Sequence, residues 1–152
     1  MSKKITRNKN QILFFSKKEK EVIIKAIRNA EKNTSGEIRV HLESRKISDP
    51  FARGRELFEK IGMTNTSAQN GVLIYLNTRT HQFAILGDAG IHAKVPADFW
   101  KDISQKMASA FSQDHFADGL KTAIGEAGEK LKIYFPCQRT DLNELPDEIS
   151  YS

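Results

Sequence analysis

NGVLIYLNTRTHQFAILGDAGIHAKVPADFW, residues 70–100, holds in one run most of what an α/β domain needs. Val72-Leu73-Ile74-Tyr75-Leu76 is an unbroken apolar run, the pattern of a central strand covered on both faces. Asn77-Thr78-Arg79-Thr80 is short and polar, so Phe83-Ala84-Ile85-Leu86 is expected to return antiparallel as the second arm of a hairpin. Gly87-Asp88-Ala89-Gly90 then leaves the sheet, with glycines where the backbone needs positive φ or a close approach. Pro96 is expected to open a helix that puts Phe99, Trp100, Ile103, Met107 and Phe111 on one side.

Upstream, Phe15-Ser16-Lys17-Lys18-Glu19 is a helix start, with Ser16 as N-cap, Glu19 completing a capping box and Phe15 available as a staple. Ile23, Ile27 and Ala30 form an apolar stripe that carries this helix to about Asn33. The run Glu37-Ile38-Arg39-Val40-His41-Leu42-Glu43 alternates cleanly. Ile38, Val40 and Leu42 face the core, and the polar set faces a partly open side or a charged groove. Asp49-Pro50 starts a helix containing Leu57, Phe58 and Ile61 that Gly62 ends, which makes a parallel crossover between the two strands. A last helix follows Asp114, with Leu120, Ile124, Ala127, Leu131 and Tyr134 inward.

The expected architecture is therefore α/β: a three-layer sandwich whose small mixed central sheet, a β-α-β crossover plus a β-hairpin, is flanked by about four helices. Residues 1–10 read as a flexible basic tail, 11–136 as one domain and 137–152 as a polar, acidic, loosely packed tail.

The chain has 152 residues, 39% hydrophobic and 28% charged, enough for one core without staples. No apolar run reaches the ~20 residues of a membrane span, and the basic start lacks the apolar segment of a signal peptide. Cys137 is the only cysteine, which excludes an internal disulfide and a cysteine-rich zinc site and fits a cytoplasmic location. The net charge of +5 does not favour nucleic acid, because aromatics are not interleaved with the basic residues. A phosphate-binding P-loop, a His-Glu-x-x-His pair and a G-x-S-x-G elbow are all absent from the sequence.

Asp88 is the leading candidate for a site, and two readings stand. It is a turn aspartate bonding its own backbone, or a carboxylate that with freed carbonyls holds Ca²⁺ or Mg²⁺. Asp98 either favours a helix N-terminus or shares that ion, and Asp102, one turn on, joins the same face or is merely exposed. His92 is a solvated loop histidine or a ligand. Glu37, Gly87 and Gly90 are expected with it as cleft lining. Trp100 reads as core rather than as a stacking ring.

The combination of Phe15-Ser16, residues 33–40 (NTSGEIRV), residues 70–74 (NGVLI), residues 87–91 (GDAGI) and Phe99-Trp100 resembles the TPM domain family over residues 14–136. Residues 145–150, LPDEIS, look like the tail of a small soluble subgroup of that family. The resemblance implies a sheet between helices. It also implies two activities: acid phosphatase, described for a plant thylakoid-lumen member acting in photosystem II repair, and divalent-cation binding, notably calcium, in a cleft at the strand ends. By motif position the cation role falls on Asp88 and on Asp98, offset by one because Ala97 directly follows Pro96. Many relatives carry an export signal and a membrane anchor, neither of which is seen here. The functional expectation is a cation-binding TPM-like domain, monomeric; the resemblance further implies a weak metal-assisted phosphomonoesterase activity on a phosphorylated substrate, for which the sequence offers no nucleophile or general base. The alternative is a non-catalytic module that docks a protein partner through the cleft or the acidic tail.

Overall fold

The computed structural model describes residues 7–137, 145 and 147–152. Its elements run α1 (Lys17–Glu31), β1 (Glu37–Glu43), α2 (Pro50–Lys60), β2 (Gly71–Asn77), β3 (Phe83–Gly87), a single turn α3 (Ala89–His92), α4 (Lys101–Ser112), α5 (Phe116–Tyr134) and β4 (Ser150–Tyr151). The sheet order is β3-β2-β1-β4. β1 and β2 are parallel, Ile38 opposite Val72 and Glu43 opposite Asn77, and β2 and β3 form the antiparallel hairpin, Leu76 opposite Phe83.

Period-two alternation sorts the sheet into two cores. Ile38, Val40, Leu42, Val72, Ile74, Leu76 and Ile85 meet α1, α4 and α5 on one face. Leu73, Tyr75, Ala84 and Leu86 meet Leu57 and Phe58 of α2 on the other. The result is the expected three-layer α/β sandwich, with β2 buried along all of its length. The capping box at Ser16 and Glu19 forms as read, and Gly62, at φ +82°, ends α2 after Ile61.

Four expectations are corrected. The helix expected from Pro96 begins only at Lys101. The preceding residues form turns closed by Phe99 N–H to the Pro96 carbonyl (3.1 Å) and Lys101 N–H to the Asp98 carbonyl (3.0 Å). The polar face of β1 is not solvated, because Glu37, His41 and Glu43 are buried. The expected acidic tail is packed where it is described: Leu145 and Ile149 are buried, and Ser150 and Tyr151 pair parallel with His41 and Leu42 as the edge strand β4. The apolar Leu145 and Ile149, spaced by four, carried that signal. At the other end, residues 1–6 lie outside the described residues, but Arg7 is anchored by a bidentate pair with Glu19 (2.8 and 2.7 Å).

Candidate functional site

The hairpin ends at Gly87, opposite Val72, so the chain leaves β3 at the end of the sheet where β1 and β2 begin. Asp88 N–H donates to the Gly71 carbonyl (3.0 Å), tying the exit to β2. Asp88 is then the N-cap of α3. Its Oδ1 accepts Ala89 N–H at 2.7 Å, and its carbonyl accepts Ile91 N–H (3.0 Å). Gly90 is required by a close approach, since a Cβ there would sit 2.2 Å from the Ala68 carbonyl oxygen. The acidic loop is thus fixed backbone, not a loose turn.

A cleft of about 810 Å³ opens beside it. One wall comes from α2: Phe51, Arg55 and Phe58, spaced by four and three residues so that they share a helix face. The floor is Ile85, Leu86 and Gly87 of β3, and the far wall is Ala97, Asp98, Trp100, Lys101 and Ser104. Ala89 and His92 close the end. Gly54 lets α2 approach this floor, because a Cβ there would meet Leu86 Cδ1 at 2.6 Å.

Asp88, Asp98, His92 and Gly87 therefore line one cleft. Asp102 is exposed in the first turn of α4 and does not line it, nor does Gly90. Glu37 lies two strands away on β1, and its Oε1 accepts Leu145 N–H at 2.8 Å. Sequence reasoning missed Arg55, Lys101, Phe51 and Phe58, although the Phe51–Arg55–Phe58 spacing was legible. Trp100, read as core, does pack against the main core yet also lines the cleft.

Two residues that line this cleft each keep one polar atom buried with no hydrogen-bond partner: Oδ2 of Asp88 and Nε1 of Trp100. A buried acceptor or donor left without a partner is unfavourable by about 1–3 kcal/mol, more when it is charged. Asp88 thus does both things that its sequence allows: one oxygen caps the backbone and the other has nothing to bind. A hard cation fits such an oxygen. The donor set is sparse, however, for among the described residues no group of three His, Cys, Asp or Glu side chains is arranged to hold a metal. A cation here would take carboxylate oxygens from Asp88 and Asp98 and complete its shell with carbonyls and water.

A second polar constellation occupies the opposite end of the sheet. Glu43, 2% exposed, accepts Arg53 Nε (3.0 Å) on Oε1, Arg53 Nη2 (2.8 Å) on Oε2, Ser152 Oγ (2.6 Å) and the Tyr75 hydroxyl (3.3 Å). His41 lies between Ser150 Oγ (2.6 Å from Nδ1) and Ser152 Oγ (2.7 Å from Nε2). Because the Ser152 hydroxyl proton goes to Glu43, Ser152 accepts from Nε2–H, which leaves Nδ1 to accept from Ser150. Burial lowers His41 to about 4, so the ring is neutral, although Glu43 opposes that shift. Burial alone would raise Glu43, but the hydrogen bonds from Arg53, Ser152 and Tyr75 outweigh it and hold the carboxylate below its ordinary value.

A small mixed sheet between one helix and three, with an acidic turn at the mouth of an apolar cleft, defines an α/β sandwich domain. The chain belongs to the TPM domain family, whose model matches residues 9–130. The NMR structure of the BA42 protein from the psychrophilic bacterium Bizionia argentinensis is similar at 45% identity and a TM-score of 0.86, covering 91% of this chain and 96% of that one. The N-terminal domain of a P. gingivalis protein (20% identity, TM-score 0.64, 80% and 78% covered) and that of the cg2496 protein from Corynebacterium glutamicum (18%, 0.60, 77% and 74%) share the fold. None of the curated proteins compared matches the chain. Among the described residues no helix is long and apolar enough to cross a membrane.

Proposed function

We propose that the Asp88 cleft binds a divalent cation, Ca²⁺ or Mg²⁺, with Asp88 as the principal ligand and Asp98 as the second carboxylate. The observation that carries this is the buried, unpartnered Asp88 Oδ2, held in place by a backbone that Gly90 and the Gly71 carbonyl fix. Asp102 and Glu37 are not among the residues that line the cleft, so the proposed ligand set is Asp88 and Asp98. Asp98 is exposed on a turn, so it can swing toward the ion at little energetic penalty.

The same cleft carries Arg55 and Lys101, which supports a second element of the reading: an anionic, phosphorylated ligand seated beside the ion. A bound cation would neutralise phosphate oxygens and polarise water there. Arg55 and Lys101 would orient the anion, while Phe58, Leu86 and Trp100 exclude solvent from its organic part.

Calcium and magnesium titrations followed by amide chemical shifts test the site. Shifts clustered at residues 87–91 and 98 are expected, and Asp88→Asn should lower affinity at least about tenfold while the fold persists. An unresponsive loop would replace the cation reading with docking of a protein partner in the cleft. Slow turnover of p-nitrophenyl phosphate with Mg²⁺, lost in Asp88→Asn, supports the phosphomonoesterase reading. Turnover unchanged in that variant removes it.

A further inference from the structure

The run Ile12-Leu13-Phe14-Phe15 is uniformly apolar, yet the fold uses only half of it. Phe14 and Phe15 are each 2% exposed, while Ile12 and Leu13 are 52% and 62% exposed. Their exposure is built rather than loose. Asn10 Oδ1 accepts Ile12 N–H (2.9 Å), the Asn10 carbonyl accepts Leu13 and Phe14 N–H (3.1 and 2.9 Å), and Lys20 Nζ donates to the Ile12 carbonyl (2.6 Å). Lys20 also lies over the ring of Tyr151, 5.4 Å from its centroid, and Tyr151 is 38% exposed. Three of the large exposed hydrophobic side chains therefore belong to one patch, joined by a lysine.

Basic residues flank it in the sequence and on α1. Lys9, whose carbonyl accepts the Thr78 hydroxyl, brings the exposed Arg79 of the hairpin turn alongside. On α1, Lys17, Lys18, Lys25 and Arg28 are exposed against one exposed acid, Glu21, with Arg28 paired to Asp147 at 3.7 Å. Lys9, Lys17, Lys18 and Arg79 make no ion pair among the described residues.

We propose that this patch is a docking surface for an anionic lipid membrane, with Ile12 and Leu13 entering the acyl boundary, Tyr151 at headgroup level and the flanking lysines against lipid phosphates. A protein partner is the poorer fit. A stable interface needs roughly 800 Å² per partner around an aromatic core, and two aliphatic side chains on a turn with one half-exposed tyrosine fall far short. A fluid bilayer needs only an apolar tip and cations around it. The surface lies apart from the Asp88 cleft, with which it shares no lining residue.

Sedimentation of the full chain with vesicles tests it. Vesicles with roughly a third phosphatidylserine should bind at least about tenfold more protein than pure phosphatidylcholine, and high salt should abolish the difference. The I12S/L13S double substitution, at exposed positions that leave the core intact, should reduce binding about tenfold, and Leu13→Trp should show a blue-shifted emission on anionic vesicles. No binding to anionic vesicles at low salt, or binding unchanged in I12S/L13S, overturns the proposal.

Discussion

The two ends of the central sheet carry polar groups of similar composition and opposite fate. At one end Glu43, Arg53, His41, Tyr75 and the hydroxyls of Ser150 and Ser152 form a closed chain in which the charge is paired and the carboxylate oxygens are both used. At the other, Asp88 is held as rigidly but keeps one oxygen without a partner, and Trp100, which lines the same cleft, keeps its indole N–H in the same condition. Burial is deeper at the closed end, so burial alone does not mark a site. What separates them is satisfaction. A satisfied network fixes structure, and an unsatisfied atom on rigid backbone beside a cleft is held ready for something else.

The largest expected effect breaks the closed end. Glu43→Ala leaves the Arg53 guanidinium, 15% exposed, with only the exposed Glu56 (3.1 Å) as a partner beside an emptied pocket, and should destabilise the domain by about 3 kcal/mol in urea unfolding. A loss under about 1 kcal/mol would mean that the pair is solvated and the contrast between the two ends is false. Next comes the double substitution Ser150→Ala with Ser152→Ala. It leaves His41 Nε2–H without an acceptor and removes a donor to Glu43, for an expected loss of about 1–3 kcal/mol.

Much of this was legible in the sequence, for reasons that particular residues make plain. The run from Val72 to Leu76, the Ser16–Glu19 capping box and the Asp49-Pro50 start are local signals, and local structure follows them. Asp88 stood out because glycine flanks it. The polar face of β1 was misread because alternation says which residues share a face, not what covers it; Arg53 and the segment carrying Ser150 and Ser152 arrive from 10 and 109 residues away. The cleft walls from α2 and α4 were lost for the same reason. Asp98 was placed inside a helix because proline at a first turn is a strong signal, yet here Trp100 caps a helix that begins five residues later than Pro96, at Lys101.

A smaller effect is a matter of pH. Burial, a hydrogen bond to Asp147 and the nearby Glu37 push Glu31 up to about 9 from an ordinary 4.5. The folded value is the higher one, so its contribution is full below the unfolded value and is lost as pH rises toward 9. His41 runs the other way. Its folded value of about 4 lies below the ordinary 6.5, so its contribution is present above 6.5 and is lost as pH falls through that interval. Glu31→Gln keeps the acceptor for Ile38 N–H and should flatten the decline in thermal midpoint as pH rises from 4.5 to about 9, raising stability by about 1 kcal/mol or less near pH 8. An unchanged slope over that interval would place its origin in another group.

The smallest expected effect on stability is also the one that sharpens the contrast most. Asp88→Asn keeps a side-chain oxygen to accept Ala89 N–H, so the cap of α3 survives, and it removes a charge that has no partner. Unfolding free energy without added cation should therefore stay within about 1 kcal/mol of the parent or rise slightly, in contrast to Glu43→Ala. Adding Ca²⁺ should then stabilise the parent and not the variant, because only a ligand that binds the folded state shifts the equilibrium. A large loss on Asp88→Asn in chelated buffer would show that the carboxylate is structural after all, and that the open end of the sheet is as closed as the other.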